Sequence, residues 1–151
     1  MRSGAMLLVT VVAASGCATN PPLAEVCLRQ GADRCFGPSV DTLTESQLRR
    51  FINSFTLSCD GIDKITDEYR KSCVAQLRQA HSALSEKWSR AIAFSPMLES
   101  DIQPSYPCVD IADRKSGQLT GGWCWEQLQV TVAYSWTPAT PNKSLERTRG
   151  R

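Results

Sequence analysis

The sequence predicts an α+β fold: two or three N-terminal helices packed on a small C-terminal antiparallel hairpin or sheet, with disulfides stapling the parts together. Three observations carry that expectation. Apolar residues recur at helical spacing through the middle of the chain, two-residue alternation replaces it near the end, and seven cysteines are spread along 151 residues.

In chain order, residues 23–30 read as a short helix ended by Gly31, and Gly37-Pro38 marks a turn. Thr44 and Gln47 then stand at capping-box spacing, with Glu45 in the first turn where a carboxylate favours the positive helix end. Leu48, Phe51, Ile52 and Phe55 follow at i, i+3, i+4 and i+7, which predicts one buried stripe on a helix that stops at Asp60-Gly61. Residues 62–94 contain no glycine or proline, and Tyr69, Cys73, Leu77, Leu84, Trp88 and Ile92 recur near multiples of 3.6. That predicts a long helix stopped by Ser95-Pro96.

Beyond Pro104 and Pro107 the period changes. Leu128, Val130, Val132, Tyr134 and Trp136 alternate with Gln127, Gln129, Thr131, Ala133 and Ser135, the pattern of a half-buried antiparallel strand. Residues 108–111 are its expected partner, joined through Lys115-Ser116-Gly117 and Gly121-Gly122. No internal repeat is present.

The formal net charge is +2, but its distribution matters more. Lys143, Arg147, Arg149 and Arg151 lie in the last nine residues beside a single acid, Glu146. Without that tail and Arg2, 12 basic residues face 14 acidic ones. A slightly acidic body gives no clustered basic face for phosphate, so nucleic acid is not an expected partner.

The chain opens with Arg2, an apolar run over residues 6–14, and Ser15-Gly16-Cys17. A positive start, a short apolar stretch and small residues at a cut site describe a secretory leader. Nine helical residues reach about 13.5 Å, less than half of a hydrocarbon layer of about 30 Å, and Gly16, Asn20, Pro21 and Pro22 interrupt any continuation. A membrane-spanning helix is therefore disfavoured.

Ala14-Ser15-Gly16-Cys17 resembles the lipobox of bacterial lipoprotein precursors, a resemblance confined to the first twenty or so residues. It implies diacylglycerol on the Cys17 sulfur, cleavage before that residue and acylation of the new amino terminus, palmitate being the expected chain. Two or more chains hold stably in a bilayer where one is marginal. Ala18, rather than an aspartate, implies an outer-membrane destination on the periplasmic side. The expected organisation is a signal peptide over 1–16, a lipidated tether over 17–24, a disulfide-stapled domain over 25–136, and a disordered basic tail over 137–151.

Assigning Cys17 to lipid leaves six cysteines, Cys27, Cys35, Cys59, Cys73, Cys108 and Cys124, enough for three disulfides in an oxidising envelope. Metal binding is the weaker reading, because there is no C-x-x-C and a single histidine. Six cysteines allow fifteen connectivities. Nearest-neighbour pairing is the expectation, and it carries a condition. A helix starting at Ile62 would set Cys73 about 16 Å along its axis, out of reach of Cys59, so that bridge requires residues 62–65 to be nonhelical.

Little in the sequence points to catalysis. His81, the lone histidine, sits at the margin of a helical stripe, and no glycine-rich phosphate loop or cofactor motif is present. Asp110, Asp113 and Glu126 are candidates for a carboxylate pair acting on glycan, against the simpler reading of solvated turn residues. Trp123 and Trp125, at i and i+2 beside two glycines, read as one strand face that packs on the long helix or meets a partner. The expected function is a noncatalytic envelope lipoprotein, a binding or structural module with the membrane and an envelope protein as partners. The alternatives are an inhibitor or immunity protein against a toxin or cell-wall hydrolase, and an enzyme acting on envelope glycan.

Overall fold

The computed structural model describes residues 24–138. The leader, Cys17, the tether up to residue 23 and the tail from residue 139 lie outside the described residues.

The chain enters as a three-residue strand, β1 (Glu25–Cys27), and reaches helix α1 (Glu45–Arg50) through a loop whose residues 37–40 run along the free edge of β1. At α1 the capping box forms: Gln47 N donates to Thr44 Oγ1 at 3.3 Å, and Thr44 N donates to Gln47 Oε1 at 2.9 Å. The helix then ends after six residues. Asn53 takes a left-handed conformation (φ 58°), which asparagine tolerates, and turns the chain into strand β2 (Ser54–Ser58).

Helix α2 (Asp67–Lys87) starts at the Thr66 cap, whose Oγ1 accepts from Tyr69 N at 3.1 Å. Cys73, Leu77, Ala80 and Leu84 form its buried stripe. Strands β3 (Ile92–Phe94), β4 (Gln103–Ser105), β5 (Cys108–Ala112), β6 (Leu119–Cys124) and β7 (Gln127–Trp136) follow.

β7 organises the body. Its Gln129 pairs with Ser58 of β2 and with Gln103 of β4, so those two strands lie on opposite edges. β3 pairs farther along β7, at Tyr134 to Trp136, and β1 adds to β2 in parallel. The resulting five-stranded sheet turns Phe55, Leu57, Leu128, Val130, Val132 and Tyr134 inward, where they meet Val26, Leu48 and the α2 stripe in one core. Each such side chain contributes about 1.5–3 kcal/mol when removed from water. Tyr134 also ties α1 to the sheet, its hydroxyl donating to the Leu48 carbonyl.

The architecture corrects the expected fold class. The described chain is sheet-rich, with two helices and seven strands, and no bundle of N-terminal helices sits on a C-terminal hairpin. Residues 25–27 are strand, where a helix over 23–30 was expected. The stripe Leu48, Phe51, Ile52, Phe55 is divided between α1 and β2, which leaves Ile52 89% exposed while Phe55 is buried. The long helix ends at Lys87, and Ile92 and Phe94 belong to β3. Finally, β5 pairs with β6, a segment read as turn, and not with β7.

The cysteines lie as three nearest-neighbour pairs at disulfide distance: Cys27–Cys35, Cys59–Cys73 and Cys108–Cys124, with Cα separations of 5.9, 5.8 and 4.0 Å. The condition on the second pair is met, because α2 begins at Asp67 and residues 62–65 are not helical.

Candidate functional site

Among the described residues, β5 and β6 form a two-stranded sheet of their own and pair with no other strand. An isolated hairpin is marginal in water, so this one needs local supports. At the tip, Asp113 Oδ1 accepts from Lys115 N at 2.8 Å, Ser116 N at 2.9 Å and Ser116 Oγ at 3.2 Å, and Gly117 supplies the left-handed residue (φ 68°) that closes the turn. These bonds to the charged form, those from the Ser116 and Lys115 backbone first, hold the Asp113 carboxyl below the usual carboxylate range. At the base, Cys108 stands opposite Cys124 and the disulfide joins them.

Alternation along the two strands gives the hairpin two unlike faces. One carries the disulfide, Asp110 and Gly122. Its residues are exposed, although a Cβ on Gly122 would stand 2.7 Å from the Val109 carbonyl oxygen of the paired strand. Val109, Ile111, Gly121 and Trp123 form the other face, with Val109 directly across from Trp123 and Ile111 across from Gly121. Beyond an irregularity in the register Leu119 stands opposite Ala112, on the disulfide side. The second face is apolar, and on it Trp123 is 45% and Ile111 44% exposed. A Cβ on Gly121 would meet nothing within 4 Å, so the glycine leaves open space beside Ile111.

The two tryptophans play different parts. Trp125 lies outside β6, 4% exposed, and donates from Nε1 to Gln127 Oε1 at 2.8 Å. Gly61 sits against its ring so closely that a Cβ there would fall 2.0 Å from Cδ1, and the Arg34 guanidinium lies 5.9 Å from the ring centroid. Trp125 therefore plugs the root of the hairpin, and Trp123 alone faces solvent.

Asp113 and Glu126 do not come together. Asp113 is at the hairpin tip, whereas Glu126 lies beyond its base and accepts from Ile65 N at 2.7 Å. Five residues of strand, about 16 Å, separate tip from base, farther than the roughly 10 Å that a glycosidase pair spans. His81 is committed to the Ser95 carbonyl at 2.9 Å and rests edge-on against Phe94. Among the described residues no group of three or more His, Cys, Asp or Glu is placed to hold a metal ion, and no helix is long and apolar enough to cross a membrane. A cleft of about 280 Å3 opens between α2 and residues 28–41, lined by Leu28, Val40, Ala80 and Gln76.

Sequence reasoning missed Ile111. The signal was present, since Val109, Ile111, Gly121 and Trp123 have strand spacing on either side of Asp113-Arg-Lys-Ser-Gly117. No protein-family model, curated protein or solved structure matches the chain.

Proposed function

We propose that the protein is a noncatalytic, lipid-anchored envelope protein that binds another protein by inserting its hairpin into an apolar cleft. The observation that carries this reading is the apolar face of Val109, Ile111 and Trp123, with Ile111 and Trp123 exposed, on a hairpin that among the described residues pairs with no other strand. Exposed apolar patches of this kind mark interaction sites.

Size and shape select the partner. The exposed part of the face, chiefly Ile111 and Trp123, amounts to about 200 Å2, below the roughly 800 Å2 per side of a stable interface, so two copies stacked face to face would not hold. A cleft that wraps a protruding hairpin also contacts its edges and tip and reaches the needed area. The partner is thus concave, with an apolar floor for Trp123 and Ile111. Protrusion into a cleft also favours inhibition of an exported enzyme as the use of this binding. Anchorage rests on the lipobox-like Ala14-Ser15-Gly16-Cys17.

Two experiments test the reading. Intact mass spectrometry of membrane-extracted protein should show acyl mass on a chain beginning at Cys17; an uncut chain without acyl mass would remove the anchor. Immobilised wild-type protein should retain one saturable envelope protein, displaced by free wild-type protein and not by a Trp123→Ser, Ile111→Ser variant. Equal displacement by that variant would remove the hairpin from the interface.

A further inference from the structure

We infer that the Cys108–Cys124 bond is a site of thiol–disulfide exchange, open to an external dithiol while the other two disulfides stay closed. The three pairs differ in access. Cys27, Cys59 and Cys73 are 2%, 4% and 1% exposed, and Cys35 is half-buried. Cys108 and Cys124 are both exposed, on a hairpin that nothing in the described residues covers. Exchange needs a thiolate to reach a sulfur along the S–S axis, so access decides which bond reacts.

The step balances without a cofactor. One thiolate of the dithiol attacks a sulfur of the Cys108–Cys124 bond, a mixed disulfide forms, and the other cysteine leaves as thiolate and takes a proton. The second thiol of the dithiol then attacks its own sulfur in the mixed disulfide and releases the remaining cysteine. Two electrons pass to the protein, which gains two thiols, and the reagent leaves as a disulfide.

Asp110 selects among thiols. Its side chain lies on the disulfide face, with Oδ1 3.2 Å from where a Cβ on Gly122 would stand. One negative charge about 7 Å from the attacking sulfur slows any thiolate about threefold in water, and a reagent bearing a further negative charge is slowed more. Arg114 and Lys115, at the tip, are about 18 Å away and screened at physiological salt. Glu126, beyond the base, is held by Ile65 N. The fitting co-reactant is therefore a dithiol set in a neutral or basic surface.

Reduction acts on the docking face. With its staple open, a two-stranded sheet that no other strand supports loses the register that aligns Val109 with Trp123. This consequence rests on the hairpin-docking reading; the exchange chemistry does not.

The test treats the folded full chain with limiting dithiothreitol, quenches with N-ethylmaleimide and maps the labelled cysteines by mass. Cys108 and Cys124 should be labelled at least about tenfold faster than the other four. Simultaneous labelling of all six, or earlier labelling of Cys59 and Cys73, would overturn the inference. Asp110→Asn should raise the rate with mercaptoethanol, which attacks as a monoanion, about threefold, and the rate with mercaptoethanesulfonate, which attacks as a dianion, by more; equal effects on both would remove Asp110 from the selection. Partner capture separates the two ideas. Selective reduction with capture intact refutes the docking consequence and leaves the exchange site standing, whereas wild-type protein that captures nothing refutes the docking reading alone.

Discussion

Two of the disulfides close loops of nearly equal length and should nonetheless differ sharply in what they hold. Cys59–Cys73 and Cys108–Cys124 have sequence separations of 14 and 16, and loop-closure entropy assigns each about 3 kcal/mol. The first pins α2 to the end of β2 inside the core, where both sulfurs are buried. Replacing both cysteines by alanine should cost the whole domain about 3 kcal/mol. For about 115 ordered residues with an unfolding entropy of about 2.1 cal/mol/K each, that lowers Tm by about 12 °C. The second staples a hairpin that adds no strand to the main sheet. Cys108→Ala, Cys124→Ala should leave Tm within about 2 °C, and the loss should appear instead as faster amide exchange confined to residues 108–124. Calorimetry with exchange mass spectrometry reads both. Equal Tm losses would refute the claim that the hairpin is energetically separate from the body.

Other outcomes follow from single contacts. Tyr134→Phe leaves the buried Leu48 carbonyl without its donor and should cost about 1–2 kcal/mol in urea unfolding. Gly61→Ala drives a methyl into the Trp125 ring and should cost about 1–3 kcal/mol, with a shifted tryptophan emission. Trp125→Ala should cost about 3–5 kcal/mol, while Trp123→Ser should change stability by less than about 0.5 kcal/mol. Burial raises the Tyr69 and Tyr134 phenols above their ordinary value of 10.0, so the folded chain holds these protons more tightly than the unfolded one. Their contribution to stability is intact below about pH 10 and is lost as pH rises through the folded values. The urea midpoint should fall from pH 9 to pH 11, and a Tyr69→Phe, Tyr134→Phe variant should flatten that fall.

What could be read from the sequence was local. The Thr44–Gln47 capping box, the alternation of β7 and the turn at Lys115-Ser116-Gly117 are set by residues a few positions apart, and each is present in the fold. What could not be read depends on distant partners. β1 is three residues held in parallel to β2 about thirty positions away, and no local pattern announces it. Phe55 continued an apparent helical stripe, although Phe55 and Leu57 also stand at strand spacing. The left-handed Asn53 and the β7 neighbour decided between them. Ile92 met the helical period in the same way, yet Ile92 and Phe94 pair with Trp136 and Tyr134. For the candidate site, tryptophan spacing pointed to the hairpin, where Trp123 is exposed and Trp125 buried. Gly121-Gly122 hid β6, because glycine is depleted from strands and read as turn.

The central claim is that the apolar hairpin face, and not the body, meets a partner. A photoreactive residue at position 111, compared with one at Thr131 on the outer face of the main sheet, tests it most directly in intact cells. The account predicts a crosslinked adduct to a second protein from position 111, abolished by Trp123→Ser, and none from position 131. Adducts from position 131 alone, or equal yields from both, would contradict it.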